Sequence, residues 1–340
     1  MDKELGSVYV CPYTRAQLEL QAERTEGSDV VTGRLTAPDG KTYPITDGIP
    51  CLIDSAKMAG SADEEREMAF YQEFYREYDG HMEWLFRSFF LDEFEVRSRV
   101  VDMLRIKPND RVLEVGCGTC RDSELIAERL SSDGVLFLQD LSENMLKLGR
   151  ERLRELLADK TAPRIEYSLG SALHLALPND CVDAAFHFGG LNLFAEVPAA
   201  LAEMARVVKP GGRVVVGDES VAPWLRGHDF GKILMNSHHL YRFEAPIADL
   251  PACADEVSLH WIVANAFYVI EFTVAEGPPA VDLDLTIPGP RGGTHRTRYF
   301  GATPGVSPNL RDKALAAAAE EGQNLHQWLE QAMRDKLGDS

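Results

Sequence analysis

Short apolar runs alternate with amphipathic segments through the central part of the chain. Over 123–130 the apolar residues are spaced as on one face of a helix, and this segment directly follows an apolar run. The runs that we interpret as strands lie at 111–115, 135–140, 181–188, 213–220, 257–262 and 267–274. Strands that alternate with helices are typical of a mostly parallel sheet covered by helices, so the pattern predicts an α/β fold.

The two ends of the chain follow other patterns. Residues 8–53 contain short β-type runs with the turn signal PDG at 38–40, which predicts a hairpin. Residues 64–104 have helical spacing and many aromatic side chains, and Asn324 and Gly338 bracket the second of two C-terminal helices. We therefore expect a small β-rich module, a helical lid, a sheet domain, and a strand with a helical pair. Their expected bounds are 1–56, 60–104, 105–290 and 291–340.

The sequence RVLEVGCGTCRD at 111–122 carries the first chemical signal. Gly116 and Gly118 follow a strand and precede a helix, and such a turn places free backbone N–H groups around a ligand. A dinucleotide site would have a third small residue where this chain has Arg121. Glu114 puts a carboxylate close to the turn, which disfavours a pyrophosphate and suits a cationic ligand. S-adenosylmethionine carries a sulfonium and an ammonium group and no phosphate.

An acidic residue at the end of the next strand supports an adenosine cofactor. Asp140 follows the apolar run 135–139, where its carboxylate can accept both ribose hydroxyls. Here the chain resembles the class I S-adenosylmethionine-dependent methyltransferases, and one stretch is similar to that of ubiquinone and menaquinone methyltransferases. The matching pieces, in the family's order, are EVGCG at 114–118, DLSENML at 140–146, LPNDCVD at 177–183 and, as the quinone-type stretch, EMARVVKPGG at 203–212.

The resemblance implies a Rossmann-like sheet of seven strands with S-adenosylmethionine as the cofactor. The binding residues that it implies are Glu114, Gly116 and Gly118 at the methionine end, Asp140 at the ribose with Leu141 beside it, and Met145, Ser171 and Ala172 around the adenine. The family usually has an aspartate where this chain has Ser171. A serine can still accept one hydrogen bond, so an adenine site is expected with a weaker side-chain anchor. The alternative is a Rossmann-like sheet with a degenerate, empty site.

Candidates for acceptor binding come from segments expected around the transferred methyl group. In the resembled family the segment before the first strand folds over the cofactor, although an amphipathic helix that only covers the sheet explains the same pattern. This segment offers Tyr71, Tyr75, Tyr78, His81 and Trp84, the loop after the fourth strand offers Asn192, and the helical stretch 224–241 offers His238 and Tyr241.

A general base is needed only if the acceptor is a neutral hydroxyl or a carbon acid. Asp218 and Glu219 end the fifth strand and are the first candidates. Only one of them is expected to face the site, because adjacent residues of an extended chain point in opposite directions. His187 is the second candidate, and a buried strand histidine with satisfied hydrogen bonds explains its position equally well.

No residue spacing indicates a metal site. Cys117 and Cys120 form a C-x-x-C within the glycine turn without a second pair, and the adjacent His238 and His239 lack a third ligand nearby. The N-terminal module resembles the zinc-ribbon-derived domain of methyltransferase activator subunits, most plainly in YPITDGIP at 43–50. Cys11 is the one thiolate left of the four that this family uses, so no structural zinc is expected.

The C-terminal segment resembles a ribbon-helix-helix antitoxin domain, most plainly in RDKALAAAAEEGQNL at 311–325. That family pairs a strand across a dimer and binds DNA with it, and THRTRYF at 294–300 is the expected strand. The two helices carry more Asp and Glu than Lys and Arg, and only Arg296 and Arg298 could serve the strand. We therefore favour homodimerisation, or packing on the catalytic domain, over DNA binding.

Composition limits the partners and the compartment. The net charge of −19 argues against non-specific attraction to nucleic acid or to an anionic membrane. No apolar run approaches the roughly 20 residues of a spanning helix, and the acidic start shows no secretory signal. Six scattered cysteines fit a reducing compartment, so a cytoplasmic protein is expected.

These observations predict a methyltransferase that moves a methyl group from S-adenosylmethionine to a small-molecule acceptor by in-line displacement. Three alternatives stay open. The first is an enzyme that methylates a protein or RNA, which the activator-like module suggests. The second is a DNA-binding regulator whose core senses S-adenosylmethionine. The third is an NAD-linked dehydrogenase, against which Arg121 and Glu114 argue.

Overall fold

The computed structural model describes residues 1–54, 69–70, 73–158, 160–288, 293–300 and 308–338. The chain divides into one compact unit of Met1–Pro279 and a second of Ala280–Ser340. The first unit contains an antiparallel sheet of four strands and a sheet of seven strands. The described part of the second unit contains three helices and no strand.

The antiparallel sheet forms the N-terminal module. It follows a short helix, α1 (Lys3–Gly6), whose free N–H groups are capped by the Asp2 carboxylate. Its strands are β1 (Glu19–Glu26), β2 (Asp29–Thr36), β3 (Thr42–Thr46) and β4 (Ile49–Pro50). Strands β2 and β3 pair antiparallel on either side of residues 38–40, which confirms the predicted hairpin.

Seven strands form the larger sheet, which is the number that the resemblance implies, and six of them overlap the predicted apolar runs. They are β5 (Arg111–Val115), β6 (Val135–Asp140), β7 (Arg164–Leu169), β8 (Val182–Phe188), β9 (Val208–Glu219), β10 (Ala254–Ile262) and β11 (Phe267–Val274). Helices cover both faces, so the central strands are buried almost throughout and can be apolar on both sides. This is the Rossmann-like α/β architecture that was expected.

The strand order places the loop after β5 and the loop after β8 side by side, at the carboxyl ends of the parallel strands. The order is β10-β11-β9-β8-β5-β6-β7, in which β5 to β9 are parallel, β11 is antiparallel to β9, and β10 is antiparallel to β11. The chain builds outward from β5 to β7 on one side and from β8 to β9 on the other. Because the connections diverge between β5 and β8, a crevice is expected at the carboxyl ends of these two strands.

Helices flank the strands of the larger sheet. In chain order they are α2 (Tyr78–Ser88), α3 (Glu93–Asp102), α4 (Arg121–Arg129), α5 (Glu143–Leu156), α6 (Val197–Val207) and α7 (Asp229–Ser237). Helices α2 and α3 belong to the predicted lid segment, of which residues 60–68 and 71–72 lie outside the described residues. Asp92 and Ser142 cap α3 and α5 through their side-chain oxygens.

The N-terminal module is held to the sheet at the carboxyl end of β7. Cys51, just after β4, forms a parallel bridge with Leu169, and the N–H of Leu52 donates to the Leu169 carbonyl over 2.8 Å. The N–H of Val10 donates to the Ala176 carbonyl over 2.9 Å. The Arg15 guanidinium donates to the Leu175 carbonyl over 2.7 Å. The module therefore fixes the segment 169–176, which leads away from β7.

Glu166 on β7 is a buried carboxyl at this junction. One of its oxygens accepts the N–H of Asp2 over 2.6 Å, and the other has no hydrogen-bond partner in the described residues. Burial is the largest cause that raises the pKa of Glu166 from 4.5 to about 7. A raised folded-state pKa means that the protonated form favours folding, so this contribution is complete below about pH 4.5 and is lost as the pH rises through 7.

We expect Glu166→Gln, which stays neutral, to flatten the fall of the unfolding free energy between pH 4.5 and 7. The difference should reach up to about 3 kcal/mol above pH 7, where the variant should be the more stable protein. Urea unfolding of wild type and Glu166→Gln over a pH series measures this difference in unfolding free energy. Glu19→Gln, at an exposed position, is the matched control. Parallel pH profiles of wild type and Glu166→Gln would contradict this expectation.

The second unit contains α8 (His295–Phe300), α9 (Pro308–Glu320) and α10 (Leu325–Leu337). The strand expected at 294–300 is wrong, because the N–H of Arg298 bonds the Thr294 carbonyl four residues earlier, as in a helix. No strand lies in the described residues of this unit with which such a segment could pair. The predicted caps of α10 are confirmed: Asn324 forms a reciprocal capping box with Gln327, and Gly338 is left-handed.

Within the described part of the chain, no helix combines the length and the apolar content that crossing a membrane requires.

Candidate active site

The glycine turn after β5 approaches the end of β8 closely. Gly116 and Gly118 have φ values of 65° and 53°, in the left-handed region where a side chain costs energy. A Cβ on Gly116 would lie 3.2 Å from the His187 ring, so the turn also needs glycine for space. Cys120 adopts φ 61° as it leads into α4, and this completes the sharp reversal of the chain.

A cavity opens between this turn and the loop after β8, and we call it the glycine-loop cavity. Six of the eight predicted cofactor residues line it, namely Gly116, Gly118, Asp140, Leu141, Met145 and Ala172. The rest of its wall is Tyr78, Val115, Gln139, Ser142, Gly170, Leu173, His187, Gly189, Gly190, Leu193 and Phe194. The residues that sequence reasoning assigned to one ligand are therefore grouped around one space.

Asp140 connects the two walls of this cavity. Its Oδ2 accepts the N–H of Gly118 over 2.7 Å, and its Oδ1 accepts the N–H of Ser142 over 2.8 Å. Burial raises the pKa of Asp140, and these backbone donors act in the opposite direction. Each carboxylate oxygen has a second lone pair, so both can still accept a hydroxyl of a bound ribose.

Glu114 and Ser171, the other two predicted cofactor residues, do not line the cavity. Glu114 is buried behind the glycine turn, where it accepts the Ser123 hydroxyl over 2.5 Å and ties β5 to α4. Burial, with nearby Asp122 as a further cause, raises the pKa of Glu114 well above its usual value. The hydroxyl of Ser171 accepts the N–H of Leu173 over 3.1 Å and so stabilises the turn of its own loop.

A second space of about 490 Å³, the lid cavity, lies beside the first. Its wall consists of Phe70, Phe74, Tyr78, His81, Met82, Leu85, Phe86, Arg97, Phe188, Gly189, Gly190, Leu193, Glu219, His238, His239, Leu240 and Phe267. Most of these side chains are aromatic or aliphatic, which suits a small, largely apolar molecule. Tyr78, Gly189, Gly190 and Leu193 line both spaces, so the two cavities meet at these residues.

Some of the predicted acceptor residues line the lid cavity and the others do not. Tyr78, His81 and His238 line the lid cavity. Trp84 lies at its rim, 62% exposed, with its ring 5.7 Å from that of His81. Tyr75 pairs instead with Arg76, whose Nε donates to its hydroxyl over 2.8 Å. Tyr71 lies outside the described residues.

Asn192 and Tyr241 have structural positions. The Asn192 side chain donates to the Glu219 carbonyl over 2.7 Å and accepts the Tyr268 hydroxyl over 3.2 Å. Tyr241 is 5% exposed and packs edge-on against Phe267. Neither residue lines either cavity.

The two acidic base candidates point to different places. Both oxygens of Asp218 accept backbone N–H groups, one from Asn192 over 2.6 Å and one from Glu219 over 2.8 Å. Asp218 therefore holds the loop after β8. Glu219 lines the lid cavity, and burial together with the neighbouring Asp218 raises its pKa well above the usual value.

His187, the third base candidate, is buried at the end of β8 and lines the glycine-loop cavity. Its Nδ1 lies 2.7 Å from the Val115 carbonyl oxygen, and its ring packs 4.8 Å from that of Phe194. It does not belong to the wall of the lid cavity.

The central part of the chain, residues 112–212, matches the family model described as "Methyltransferase domain". This span contains the glycine turn, Asp140 and the loop after β8. Residues 112–212 form a methyltransferase domain. It is a class I domain, and S-adenosylmethionine is the methyl donor of this class.

Curated relatives of the methyltransferase domain are named for quinone substrates. The chain is 36% identical to a demethylmenaquinone methyltransferase of Listeria welshimeri over 124 residues, which are 36% of this chain and 51% of the relative. It is 34% identical to a 2-phytyl-1,4-naphtoquinone methyltransferase of Synechococcus elongatus over 152 residues, 44% of this chain and 61% of the relative. The chain thus spans about half the length of the first of these relatives.

Among solved structures, the chain is similar to a complex of the Trm112 methyltransferase activator of Haloferax volcanii with a methyltransferase. The sequence identity is 14% and the TM-score is 0.46, over 61% of this chain and 98% of that one.

A buried ion cluster of the methyltransferase domain and its lid was not foreseen. Arg97 of α3 is 5% exposed, and it donates to Asp122 over 2.5 Å and to Glu93 over 2.6 Å. Its guanidinium also lies over the rings of Phe86 and Phe188, at 5.6 and 5.5 Å from their centroids. Since Arg97 lines the lid cavity, this cluster forms part of its wall.

Sequence reasoning also missed several residues of the glycine-loop cavity. Gln139 precedes Asp140 at the end of β6, and Gly170 precedes the Ser171 loop. Their places next to predicted residues at strand ends were a usable signal. Phe194 and Leu193 follow the glycine pair after β8, and only the pairing of β5 with β8 brings them to the site.

Proposed function

We propose that this protein transfers a methyl group from S-adenosylmethionine to a small-molecule acceptor. The observation that carries the proposal is the meeting of two cavities at Tyr78, Gly189, Gly190 and Leu193. One cavity belongs to the part of the methyltransferase domain that holds Asp140, and the other has an apolar wall with a few polar groups. A donor in the first and an acceptor in the second would be adjacent at the junction.

The residues of the glycine-loop cavity fit S-adenosylmethionine. Asp140 is held by two backbone donors and keeps lone pairs for the ribose hydroxyls. A Cβ on Gly116 would lie 3.2 Å from the His187 ring, so a glycine at this position keeps the space open. When bound, the cofactor supplies a methyl group that its sulfonium makes electrophilic.

The residues of the chain would contribute by aligning the methyl donor with the acceptor and by excluding water from the junction of the two cavities. Asp140 and the turn that it fixes would orient the donor. Tyr78, on the lid helix α2, lies in the walls of both cavities and would close the junction from above. Burial raises the pKa of the Tyr78 hydroxyl, so it would stay neutral and could donate a hydrogen bond there.

Glu219 is the group that we propose takes a proton from a hydroxyl or carbon-acid acceptor. It faces the lid cavity, whereas both oxygens of Asp218 are engaged by backbone N–H groups. A carboxylate with a raised pKa is a stronger base once ionised, and a general base works best when its pKa is close to the working pH.

The aromatic wall of the lid cavity supports an acceptor with a planar, apolar part. Phe74, Phe86, Phe188 and Phe267 surround the space, and rings of this kind stack on flat molecules. The quinone substrates in the names of the two relatives agree with an acceptor of this class.

Calorimetric titration with S-adenosylmethionine and S-adenosylhomocysteine, followed by transfer of a radiolabelled methyl group, tests the proposal. We expect micromolar binding of both ligands and label in the organic extract when hydroquinones or phenols of graded size are supplied. Label that appears only in added protein or RNA would exclude a small-molecule acceptor. Absence of binding to either ligand would exclude the methyltransferase proposal itself.

A further inference from the structure

The carboxylate of Asp79, in the first turn of the lid helix α2, contacts three residues of the methyltransferase domain. Its Oδ1 accepts the Thr119 hydroxyl over 2.6 Å and lies 3.1 Å from the Arg121 guanidinium. Its Oδ2 accepts a hydrogen bond from Arg152 over 3.2 Å. Both carboxylate oxygens are therefore engaged, and the start of α2 is tied to three places on the domain. We call these contacts the Asp79 latch.

The partners of the latch belong to elements that shape the glycine-loop cavity. Thr119 is 1% exposed and directly follows Gly118 in the glycine turn. Arg121 begins α4, which leaves this turn, and Arg152 belongs to α5. On the other side of the turn, Asp140 accepts the N–H of Gly118 over 2.7 Å. The glycine turn is thus held by one carboxylate from β6 and by a second carboxylate from the lid.

The geometry of the latch is fixed more firmly than that of an ordinary surface ion pair. The Arg121 side chain is 13% exposed, and its Nε donates to Glu93 of α3 over 2.7 Å, which holds the guanidinium in one orientation. The Asp79 side chain is 33% exposed, so its ion pairs should contribute little to the free energy of unfolding. What the latch supplies is therefore mainly the position of α2.

The start of α2 depends on such a contact, because it lacks the usual cap. Glu77 occupies the N-cap position and makes no side-chain hydrogen bond to the first turn. A helix end without a cap leaves backbone N–H groups unsatisfied and tends to fray. Tyr78 is the first residue of this turn, next to Asp79, and it lines both cavities. Fraying of this end would move Tyr78 away from their junction.

We propose that Asp79 is a positioning residue, which holds the uncapped start of α2 on the glycine turn and so keeps Tyr78 at the junction of the two cavities. Asp79 lines neither cavity, so it would act through Tyr78 and not by contact with a ligand. This inference rests on the proposed function and adds to it a residue outside both ligand sites. Loss of the latch would slow methyl transfer and change the affinity for the cofactor little.

Hydrogen exchange of the full chain tests the latch without any ligand. In Asp79→Ala the backbone amides of 78–88 should exchange about tenfold faster than in wild type, because the helix end opens more often. Exchange over 93–102, in α3, should be unchanged. Asp79→Asn, which keeps an oxygen for Thr119 but loses the charge, should fall between wild type and Asp79→Ala. Glu83→Ala, at an exposed position of the same helix, is the matched control.

Methyl-transfer kinetics test what the latch positions. With the hydroquinone that wild type methylates fastest, Asp79→Ala should lower kcat about tenfold, because reacting groups out of alignment react slowly. Its dissociation constant for S-adenosylhomocysteine should stay within about threefold of wild type, since Asp140 still holds the glycine turn. Tyr78→Ala should also lower kcat. The double variant should lose no more than Tyr78→Ala alone, because both substitutions remove one shared contribution.

Two results would overturn the inference. One is exchange over 78–88 that is the same in Asp79→Ala and in wild type, which would show that the contacts do not hold the helix. The other is a double variant whose loss of kcat is the product of the two single losses. A wild type that binds no S-adenosylhomocysteine, or that methylates none of the supplied hydroquinones and phenols, would instead overturn the proposed function, and hydrogen exchange would still decide whether the latch holds α2.

Discussion

Asp140→Ala is expected to weaken binding of S-adenosylhomocysteine by at least tenfold, which is about 1.4 kcal/mol. The substitution removes the carboxylate that we propose accepts both ribose hydroxyls. It also releases the N–H groups of Gly118 and Ser142, which the carboxylate holds at 2.7 and 2.8 Å. The glycine turn and the start of α5 would then lose their common anchor. Calorimetric titration of wild type and variant at one pH and salt concentration measures the effect.

A matched control for Asp140→Ala is available on the same segment. Asp133 is exposed in the turn before β6, and Asp133→Ala should bind S-adenosylhomocysteine as wild type does. Thermal unfolding of both variants without ligand distinguishes lost binding from lost folding. If Asp140→Ala binds within threefold of wild type, the carboxylate does not hold the ribose.

Arg97→Ala is expected to lower the free energy of unfolding by about 3–5 kcal/mol, because it leaves the carboxylate of Asp122 buried without its partner, whereas Glu93 keeps its ion pair with Arg121. Asp122 is 5% exposed and accepts a hydrogen bond from Arg97 over 2.5 Å. Glu93 also accepts a hydrogen bond from Arg97, over 2.6 Å. Burial already raises the pKa of Asp122, and the charge of Arg97 opposes that rise. Loss of the guanidinium also removes its contacts with two aromatic rings of the lid cavity.

Urea unfolding at constant pH measures this loss, and α3 supplies the control. Arg99 lies two residues further on and is exposed, so Arg99→Ala should stay within about 0.5 kcal/mol of wild type. A loss below about 1 kcal/mol in Arg97→Ala would show that the cluster relaxes into water without cost.

The sequence was most informative where chemistry depends on neighbours along the chain. The strand before Gly116, the turn itself and Asp140 at the end of β6 form a local pattern, and the structure groups Gly116, Gly118 and Asp140 around one cavity. The apolar runs likewise predicted six of the seven strands of the larger sheet, and β7 was not among them. Local signals sufficed for β5, β6 and β8 because these central strands are buried almost throughout.

Sequence reasoning was weakest where packing decides the contacts. Asp218 and Glu219 are adjacent, and only the packing of the loop after β8 engages one carboxylate and leaves the other facing the lid cavity. Asn192 looked like a site residue because it follows two glycines, yet its hydrogen bonds run to Glu219 and Tyr268. The segment 294–300 failed as a strand because a strand needs a partner, which its own sequence cannot supply.

The three hydrogen bonds that the N-terminal module donates to segment 169–176 have a thermodynamic consequence. Gly170, Ala172 and Leu173 of this segment line the glycine-loop cavity, so the same stretch of backbone faces a ligand on one side and the module on the other. Two partners that order one segment stabilise each other reciprocally. A ligand held there raises the free energy needed to detach the module. Detachment of the module would lower the affinity for that ligand by the same factor, so the module and the ligand would act as two coupled partners of one segment.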